Sequence, residues 1–243
     1  MLKLLQITRN YPPLWGGMEK LNWNISAELG AHMEVRVIAP EGARANSPAG
    51  IHVTEVPLKP LSVFASATLW QSISQARTWK PDIVLAGSGL TAPMAWIAAR
   101  LCGAQAVVYT HGLDIAVRHP VYRLLWLPFL RGMDLVIANS RATADLASEQ
   151  RIRPDKIVII PPGVEITKLD EQARQRFRST NNLYHRKILL SVGRLTARKG
   201  LREFVSQVLP KIVQERPEVI LVIVGDAPMD SLHAQIQTPE SIM

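Results

Sequence analysis

Residues 187–200 have the sequence KILLSVGRLTARKG, which joins a continuous apolar run to a basic loop that ends in glycine. The run 187–192 is typical of a parallel strand that is covered on both faces. After Gly200 the apolar residues recur at helical spacing, which predicts a helix with one buried face. These residues are Leu201, Phe204, Val205, Val208, Leu209, Ile212 and Val213. The stretch therefore predicts a strand, a loop and a helix, the repeating unit of α/β folds.

Two cations, Arg194 and Lys199, lie in the predicted loop. In open α/β sheets ligands bind at the carboxyl ends of the strands, and the free N–H groups of a helix N-terminus favour an anion there. Gly193 and Gly200 bracket the pair and allow the backbone to approach a ligand closely. The loop therefore predicts a phosphate or diphosphate site. The alternative is that both cations are ordinary solvated surface residues.

The rest of the chain repeats the same alternation of strands and helices. Strands are predicted at 2–8, 35–39, 51–56, 83–86, 106–110, 135–138 and 157–160, and again at 187–192 and 219–224. Helices are predicted at 18–29, 63–79, 91–101 and 140–150. This order predicts a doubly wound parallel sheet, followed by a polar connector over 165–186 and a second β-α-β unit.

Two further loops fall at the carboxyl ends of predicted strands. Gly16 and Gly17 stand just before a helix, where they form either a cradle for phosphate or a plain tight turn. They are not part of a G-x-G-x-x-G dinucleotide fingerprint. His111 follows the strand 106–110, where its ring either reaches a cleft or is a satisfied polar side chain. The cysteines, histidines and carboxylates show no metal-ligand spacing, so no metal site is predicted.

The composition is that of a soluble globular protein, with 47% hydrophobic and 20% charged residues. No apolar run approaches the roughly 18 residues that span a bilayer, and no secretory signal is expected at the start. The single cysteine, Cys102, suits a reducing compartment. The net charge of +8 favours polyanionic partners such as nucleotide phosphates or an anionic membrane face. Nucleic acid is not expected, because no dense basic run or nucleic-acid-reading motif is present.

The segment PVYRLLWLPFL, residues 120–130, is apolar and is flanked by Arg118 and Arg131. It has two interpretations, a patch that docks on a membrane surface and a segment packed in the core. Pro128 argues against one continuous amphipathic helix. Core packing is therefore the favoured interpretation.

Six short motifs follow one another along nearly the whole chain. They are Tyr11-Pro12-Pro13 with Gly16-Gly17-Met18-Glu19, Thr110-His111-Gly112, Ala138-Asn139-Ser140, Pro161-Pro162-Gly163-Val164-Glu165, Ser191-Val192-Gly193-Arg194-Leu195 with Arg198-Lys199-Gly200, and Val224-Gly225-Asp226. In this order they resemble the retaining glycosyltransferases of family 4. The resemblance implies an α/β chain with the GT-B fold, here one complete doubly wound Rossmann-like domain plus an incomplete second Rossmann-like domain.

The resemblance also implies what each part does. Residues 1–164 would form the acceptor-side domain, 165–186 the connector and 187–243 part of the domain that binds a nucleotide-diphosphate sugar. Arg194 and Lys199 would hold the diphosphate and stabilise the leaving group, and His111 would contact the donor sugar; these are the catalytic candidates. Gly16, Gly17 and Gly193 would contribute to donor binding. Apart from the nucleotide sugar as substrate, no cofactor or metal is implied.

The implied reaction moves the sugar to a glycan or lipid-linked acceptor in cell envelope polysaccharide biosynthesis. We expect a cytoplasmic location, with room for peripheral contact at the inner face of the membrane. The family's E-x7-E motif is absent before Met243. We therefore expect a truncated transferase, weakly active or inactive alone, or one half of a split enzyme. A partner chain or self-association would then cover the incomplete domain.

Two alternatives stay open. The chain could be a noncatalytic acceptor-binding half of a split glycosyltransferase. A sugar-nucleotide epimerase with a GT-B-like fold fits the architecture, but it fits the Gly16-Gly17 loop and the Arg194/Lys199 stretch less well.

Overall fold

The computed structural model of the chain describes residues 1–117, 119–164, 166 and 168–225. The chain divides into two compact units, Met1–Glu165 and Ile166–Met243. Arg118, Glu165 and the motif residue Asp226 lie outside the described residues, as does the side chain of Arg198. The functional division into domains that the resemblance implies stays a prediction.

The first unit is built on a parallel sheet of seven strands in the order β3-β2-β1-β4-β5-β6-β7. The strands are β1 Lys3–Ile7, β2 Glu34–Pro40, β3 His52–Val56, β4 Ile83–Ala86, β5 Gln105–Thr110, β6 Leu135–Ala138 and β7 Ile157–Ile159. Every neighbouring pair is parallel. The predicted doubly wound sheet is therefore confirmed, and each strand ends within one residue of the predicted position.

Helices cover both faces of this sheet. They are α1 Gly17–Gly30, α2 Leu61–Thr78, α3 Ala92–Cys102, α4 Leu113–Ala116, α5 Pro120–Leu125, α6 Leu127–Gly132 and α7 Arg141–Glu149. Because side chains alternate along a strand, Leu5 and Ile7 of β1 join Phe64 of α2 in one buried cluster. Leu4 of the same strand joins a second cluster, against which Trp23 of α1 packs. The two clusters are the two halves of the core.

The strand order reverses between β1 and β4. From β1 the sheet continues through β2 and β3 to one side, and from β4 it continues through β5, β6 and β7 to the other. In doubly wound sheets the loops at such a reversal diverge and leave a crevice at the carboxyl ends of the strands. The topological switch point therefore lies between β1 and β4.

The apolar segment 120–130 is divided between two short helices with different surroundings. Leu127 and Leu130 of α6 are buried in the core, as the favoured interpretation predicted. The expectation is wrong for α5, where Val121, Leu124 and Leu125 are all exposed. None of the helices in the described part of the chain is both long and apolar enough to cross a membrane.

In the second unit the predicted strands pair in parallel, β8 Lys187–Val192 with β9 Val219–Val224. The helical segment between them starts as α9 Leu201–Glu203, passes through a π-helical turn at Phe204–Val208 and ends as α10 Leu209–Glu215. The periodicity predicts a regular helix here. The π turn lies just before Pro210, which has no N–H to donate to the preceding turn and whose ring displaces its carbonyl groups.

The stretch 165–186 holds a helix that the polar composition did not predict. Helix α8 spans Glu171–Thr180, and the Asp170 side chain caps it by accepting a hydrogen bond from the Ala173 N–H at 2.9 Å. The helix lies in the second unit. A helix can therefore form here on capping and charge pairs, such as Arg174 with Glu171 at 2.7 Å, with little apolar surface.

The sheet of the second unit exposes apolar side chains. Leu190 and Val192 of β8 are 63% and 69% exposed, and Ile223 and Val224 of β9 are exposed as well. The described core of this unit is small and consists of Leu195 and Leu201 with Val205 and Leu221 packed against them. Self-association through this sheet stays a prediction.

Asp134 ties together the start of β6, the start of β5 and α3. It accepts two hydrogen bonds from Arg100, at 2.8 and 3.1 Å, and one from the Ala106 N–H at 2.8 Å. The Arg100 hydrogen bond is the main cause that holds the pKa of Asp134 below its ordinary value of 3.8. The ionised carboxylate is therefore the form that stabilises the fold.

We expect Asp134→Asn to lower the free energy of unfolding by about 1 kcal/mol at neutral pH, since the pair is partly exposed. A lowered pKa contributes stability that is fully present above the ordinary pKa and is lost as pH falls through the folded-state pKa. The difference from wild type should therefore persist down to about pH 4 and shrink below it. Urea unfolding followed by circular dichroism between pH 3 and 7 measures this. Asp155→Asn, which removes an exposed carboxylate paired only with Arg153, is the control and should change little.

Candidate functional site

Three loops of the first unit meet at the carbonyl group of Gly87, which follows β4. The His111 Nε2 atom donates a hydrogen bond to this carbonyl oxygen at 3.1 Å. The Asn22 side chain of α1 donates to the same oxygen at 3.4 Å. A Cβ atom on Gly87 would overlap the Asn22 Oδ1 atom and would lie 2.8 Å from the Thr8 side chain. The loops after β1, β4 and β5 can therefore close together only because residue 87 has no side chain.

Asp114 fixes the backbone beside His111. Its Oδ1 atom accepts a hydrogen bond from the His111 N–H, and its Oδ2 atom accepts one from the Gly89 N–H, both at 2.9 Å. The carboxylate thus bridges the loops that follow β5 and β4. The half-buried His111 ring also lies against Tyr109, with ring centroids 5.2 Å apart. The position of His111 is therefore set by two neighbouring strands and by Asp114.

Gly16 and Gly17 have different surroundings although they are adjacent. Gly16 is the N-cap residue of α1, and a Cβ atom there would overlap the Glu19 carboxylate. Glu19 is only 6% exposed, and its Oε1 atom accepts a hydrogen bond from the Asn10 side chain at 2.8 Å. A Cβ atom on Gly17 would meet nothing within 4 Å. Packing explains glycine at position 16, whereas position 17 is open and leaves backbone accessible at the start of the helix.

The face of α1 that is most buried is polar. Glu19, Asn22 and Ser26 are the buried residues of this helix, whereas the apolar residues that recur at helical spacing, Met18, Leu21, Ile25 and Leu29, are partly buried. The Asn22 side-chain oxygen accepts a hydrogen bond from the buried Gln6 side chain at 3.0 Å. The Ser26 hydroxyl lies 2.6 Å from the Tyr11 hydroxyl. Ile25 and Leu29 of the apolar face pack against the second core cluster, while the polar residues beside them are buried more fully against the carboxyl end of β1 and the loop that follows it.

In the second unit, the loop after β8 is held by its apolar residues and presents its charges outward. Leu195 and Thr196 are buried, whereas Arg194 and Lys199 are exposed. Neither cation forms an ion pair or a side-chain hydrogen bond with any residue that the structure describes. The Gly193 N–H donates to the Val224 carbonyl at 2.9 Å, which ties the start of the loop to the end of β9. The result is an anchored loop with two uncompensated positive charges.

Close backbone packing supports this loop. Gly193 has a φ of +151°, and the space around its Cβ position is open. A Cβ atom on Gly225 would overlap the Gly193 carbonyl oxygen. The loops that follow β8 and β9 therefore pack backbone against backbone. Gly193 leaves one side of the loop accessible beside Arg194.

Within its described residues the chain contains no cluster of three or more His, Cys, Asp or Glu side chains arranged to hold a metal ion. The candidates thus form two groups, one in each unit: Gly16, Gly17 and His111 in the first, and Gly193, Arg194 and Lys199 in the second.

A family model described as Glycosyltransferase Family 4 matches residues 15–168. The chain belongs to glycosyltransferase family 4. The matched range contains Gly16, Gly17 and His111 and ends before Arg194 and Lys199. Membership of family 4 therefore rests on the first unit.

One curated relative of this family 4 chain is the GDP-mannose-dependent alpha-(1-6)-phosphatidylinositol monomannoside mannosyltransferase of Mycolicibacterium smegmatis. The two are 27% identical over 234 residues, which cover 93% of this chain and 61% of the relative. The chain thus spans about three fifths of the length of this relative, and the aligned part extends through both units.

Among solved structures, the Anabaena protein Alr3699/HepE in complex with UDP-glucose superimposes with a TM-score of 0.75 at 18% identity, covering 95% of this chain and 62% of that one. A putative UDP-N-acetylglucosamine 2-epimerase from Listeria monocytogenes superimposes with a TM-score of 0.57 at 15% identity, covering 91% and 62%. These likenesses show the fold. The family 4 chain has the GT-B architecture, with one full Rossmann-like domain and part of a second.

The sequence analysis missed four residues that build the site of the first unit: Gly87, Asp114, Asn22 and Glu19. A signal for Gly87 was present, since Gly87-Ser88-Gly89 directly follows a predicted strand. Asp114 follows His111 by three residues and could have been recognised as a local hydrogen-bond acceptor. Glu19 stands in the Gly16-Gly17-Met18-Glu19 motif but received no role of its own. Asn22 gave no signal, because a polar residue on a helix is ordinarily predicted to face solvent.

Proposed function

We propose that this chain carries the donor-phosphate and acceptor-side elements of a retaining glycosyltransferase, which moves a sugar from a nucleotide-diphosphate sugar to a glycan or lipid-linked acceptor. The observation that carries the proposal is the anchored loop with the uncompensated cations Arg194 and Lys199. Two positive charges carried by an anchored loop at the carboxyl end of a strand, beside the start of a helical segment, suit a diphosphate. Membership of family 4 supports the same function.

In the proposed reaction the two cations hold the diphosphate and stabilise the negative charge that develops on it as the bond to the sugar breaks. Fixed charges aimed at developing charge lower a barrier effectively because they need no reorganisation. Gly193 allows the loop backbone to approach the phosphates, and Gly17 contributes open backbone at the start of α1. No metal is required in this proposal, because the arginine and lysine supply the positive charge.

His111 is proposed to contact the donor sugar. Its loop is held by the Asp114 carboxylate and the Gly87 carbonyl group, so the ring needs no large rearrangement to bind a ligand. Gly16 is proposed to act with Gly17 in donor binding, in addition to the packing role that Glu19 gives it. A preorganised histidine of this kind suits hydrogen bonding to a sugar hydroxyl.

We propose a lipid-linked acceptor as the more specific form of this function. The mycobacterial relative is named for action on a phosphatidylinositol monomannoside, and that name supports an acceptor carried by a membrane lipid. The net charge of +8 favours an anionic acceptor or membrane face. A cytoplasmic location at the inner face of the membrane, and a role in cell envelope polysaccharide biosynthesis, follow from the same proposal.

A second candidate is a noncatalytic acceptor-binding half that needs a partner chain. The observation that favours it is the exposed apolar sheet of the second unit, with Leu190 and Val192 both more than 60% exposed. Such a surface suits covering by another chain or by a second copy. A sugar-nucleotide epimerase is a weaker alternative, because the likeness between this chain and the epimerase structure extends only to the fold.

Titration calorimetry of the chain with UDP, GDP and their sugar conjugates tests the proposed function. We expect binding to one nucleotide class, with the sugar conjugate bound at the same site. Inorganic sulfate at equal ionic strength is the control for nonspecific attraction to a basic protein. No binding by a folded chain would contradict a donor site in this chain and favour the acceptor-binding half. Sedimentation over a range of concentrations would then show whether copies of the chain associate.

A further inference from the structure

Helix α5 presents three apolar side chains to solvent on one face. Val121, Leu124 and Leu125 are 52%, 74% and 51% exposed, and their spacing places them side by side on the helix. We call these three residues the α5 patch. Large apolar side chains that are exposed singly are ordinary, but three neighbours on one short helix form a contiguous surface.

The opposite side of α5 is fixed to the carboxyl edge of the sheet. The Tyr122 hydroxyl donates a hydrogen bond to the Asp114 carbonyl oxygen at 2.7 Å, and the indole N–H of Trp126 donates to the Leu90 carbonyl oxygen at 2.9 Å. The Tyr122 and Trp126 rings stack with centroids 5.9 Å apart. Burial, together with the nearby Asp114, raises the pKa of Tyr122, so this hydroxyl keeps its proton and remains a donor. The α5 patch therefore cannot turn inward without breaking these bonds.

The same contacts place α5 beside the candidate site of the first unit. Asp114, to which Tyr122 is bonded, is the residue whose carboxylate holds His111. An acceptor that reaches His111 must therefore approach along the same edge of the sheet. A lipid carrying its acceptor sugar at this edge would have its acyl chains close to the α5 patch.

The sequence around the α5 patch is basic, and Glu149 is the acidic residue that lines a cavity together with Arg123. The stretch 115–133 contains Arg118, Arg123 and Arg131 and no aspartate or glutamate. The acidic residues that flank it, Asp114 and Asp134, are both hydrogen bonded within the fold. Arg123 lies on α5 itself and is exposed. Apolar side chains next to basic ones are the combination that binds anionic lipid surfaces.

We propose that the α5 patch docks this chain on an anionic phospholipid bilayer. The two leucines and Val121 enter the boundary between headgroups and acyl chains, and Arg123 contacts the phosphate groups. The inference rests on the proposed function in one respect: an enzyme with a lipid-linked acceptor needs to bind the membrane that holds this acceptor. Bilayer binding itself is measured without donor or acceptor.

Flotation of the full chain with vesicles tests the proposal. We expect wild type to float with vesicles of phosphatidylglycerol and phosphatidylcholine, and to float weakly with phosphatidylcholine alone. Leu124→Ser with Leu125→Ser should lower partitioning to the anionic vesicles by at least about tenfold, because it removes most of the apolar surface that enters the lipid. Arg123→Gln should lower it by about fivefold on anionic vesicles and leave phosphatidylcholine binding unchanged.

The matched control is Leu2→Ser with Leu101→Ser. These leucines are 56% and 49% exposed, but they lie at the start of β1 and the end of α3, at the amino edge of the sheet. This pair should leave vesicle binding at the wild-type level. Equal loss with both pairs would show a nonspecific apolar effect and would overturn the proposal.

Two other results would also overturn it. One is vesicle binding that is the same in Leu124→Ser/Leu125→Ser and in wild type. The other is a change in sedimentation on introducing these substitutions, with vesicle binding unchanged. The α5 patch would then be a contact between copies of the chain. Calorimetry with the nucleotide sugar on wild type separates the two proposals. A wild-type chain that binds the nucleotide sugar but does not bind anionic vesicles would leave the donor site standing and remove only the docking surface.

Discussion

Replacing Arg194 and Lys199 together with alanine is expected to lower the affinity for the nucleotide sugar by at least about a hundredfold. Each cation would form charge-assisted hydrogen bonds to the diphosphate, and such bonds contribute about 1.5–3 kcal/mol each. Both side chains are exposed and have no described partner, so their removal leaves no buried group unsatisfied. The fold should therefore be unchanged while binding, measured by calorimetry, is lost.

The control for this pair is Lys211→Ala with Arg216→Ala, which removes the same charge from the same unit. Both residues are exposed and lie at the far end of the helical segment from Lys199. A general electrostatic attraction between nucleotide and basic protein would be weakened equally by both pairs. Equal losses would therefore contradict a specific site at Arg194 and Lys199, as would unchanged binding in the first pair.

Gly87→Ala is expected to lower the free energy of unfolding of the first unit by about 2–3 kcal/mol. The added methyl group would overlap Asn22 and press on Thr8, so α1 would have to move away from the carboxyl ends of β1 and β4. The hydrogen bonds from His111 and Asn22 to the Gly87 carbonyl would be strained at the same time. Urea unfolding measures the loss.

Gly17→Ala is the matched glycine for this experiment. It is the first residue of α1, the helix that carries Asn22, but its Cβ would meet nothing within 4 Å, and alanine is the better helix former. The free energy of unfolding should stay within about 0.5 kcal/mol of wild type or rise. If Gly87→Ala is as mild as Gly17→Ala, the close approach of the three loops is not needed for stability.

The strands could be predicted from the sequence because a parallel strand in a covered sheet is a short, continuous apolar run. β4, β6, β8 and β9 occupy the ranges that were predicted from such runs. The buried faces of the helices were harder to predict, because they depend on the side chains of the sheet against which each helix packs. Helix α1 packs with Glu19, Asn22 and Ser26 inward, because the end of β1 offers it polar partners.

Three features of the remaining chain have tertiary or local causes that periodicity does not register. The π turn before Pro210 depends on one missing N–H group, and α8 depends on a cap at Asp170. The division of 120–130 into exposed α5 and buried α6 depends on where the Tyr122 and Trp126 side chains find acceptors. In each case a few local backbone or side-chain hydrogen bonds, present or missing, accompany the change in structure.

The sequence predicts where the candidate site lies in the fold, but it predicts only some of the residues that form it. From the predicted strands we expected Gly17, His111 and Arg194 to lie just after the carboxyl ends of strands. The structure places each of them there or at the start of the adjoining helix. Their roles stay predictions. Gly87 and Asp114 act through backbone groups, one by its carbonyl and one by binding two N–H groups. Backbone partners leave little trace in residue types, so such residues emerge only when the loops are seen together.

The bond from His111 to Gly87 also fixes the proton of the imidazole ring. A carbonyl oxygen can only accept, so the Nε2 atom must carry the hydrogen. In the neutral ring the lone pair is then on Nδ1, which becomes an acceptor. For the donor sugar that we propose at His111, this tautomer demands a hydroxyl that gives its hydrogen to the ring. In the proposed function, the backbone of the β4 loop would thereby let the site distinguish a sugar hydroxyl from a substituent that can only accept.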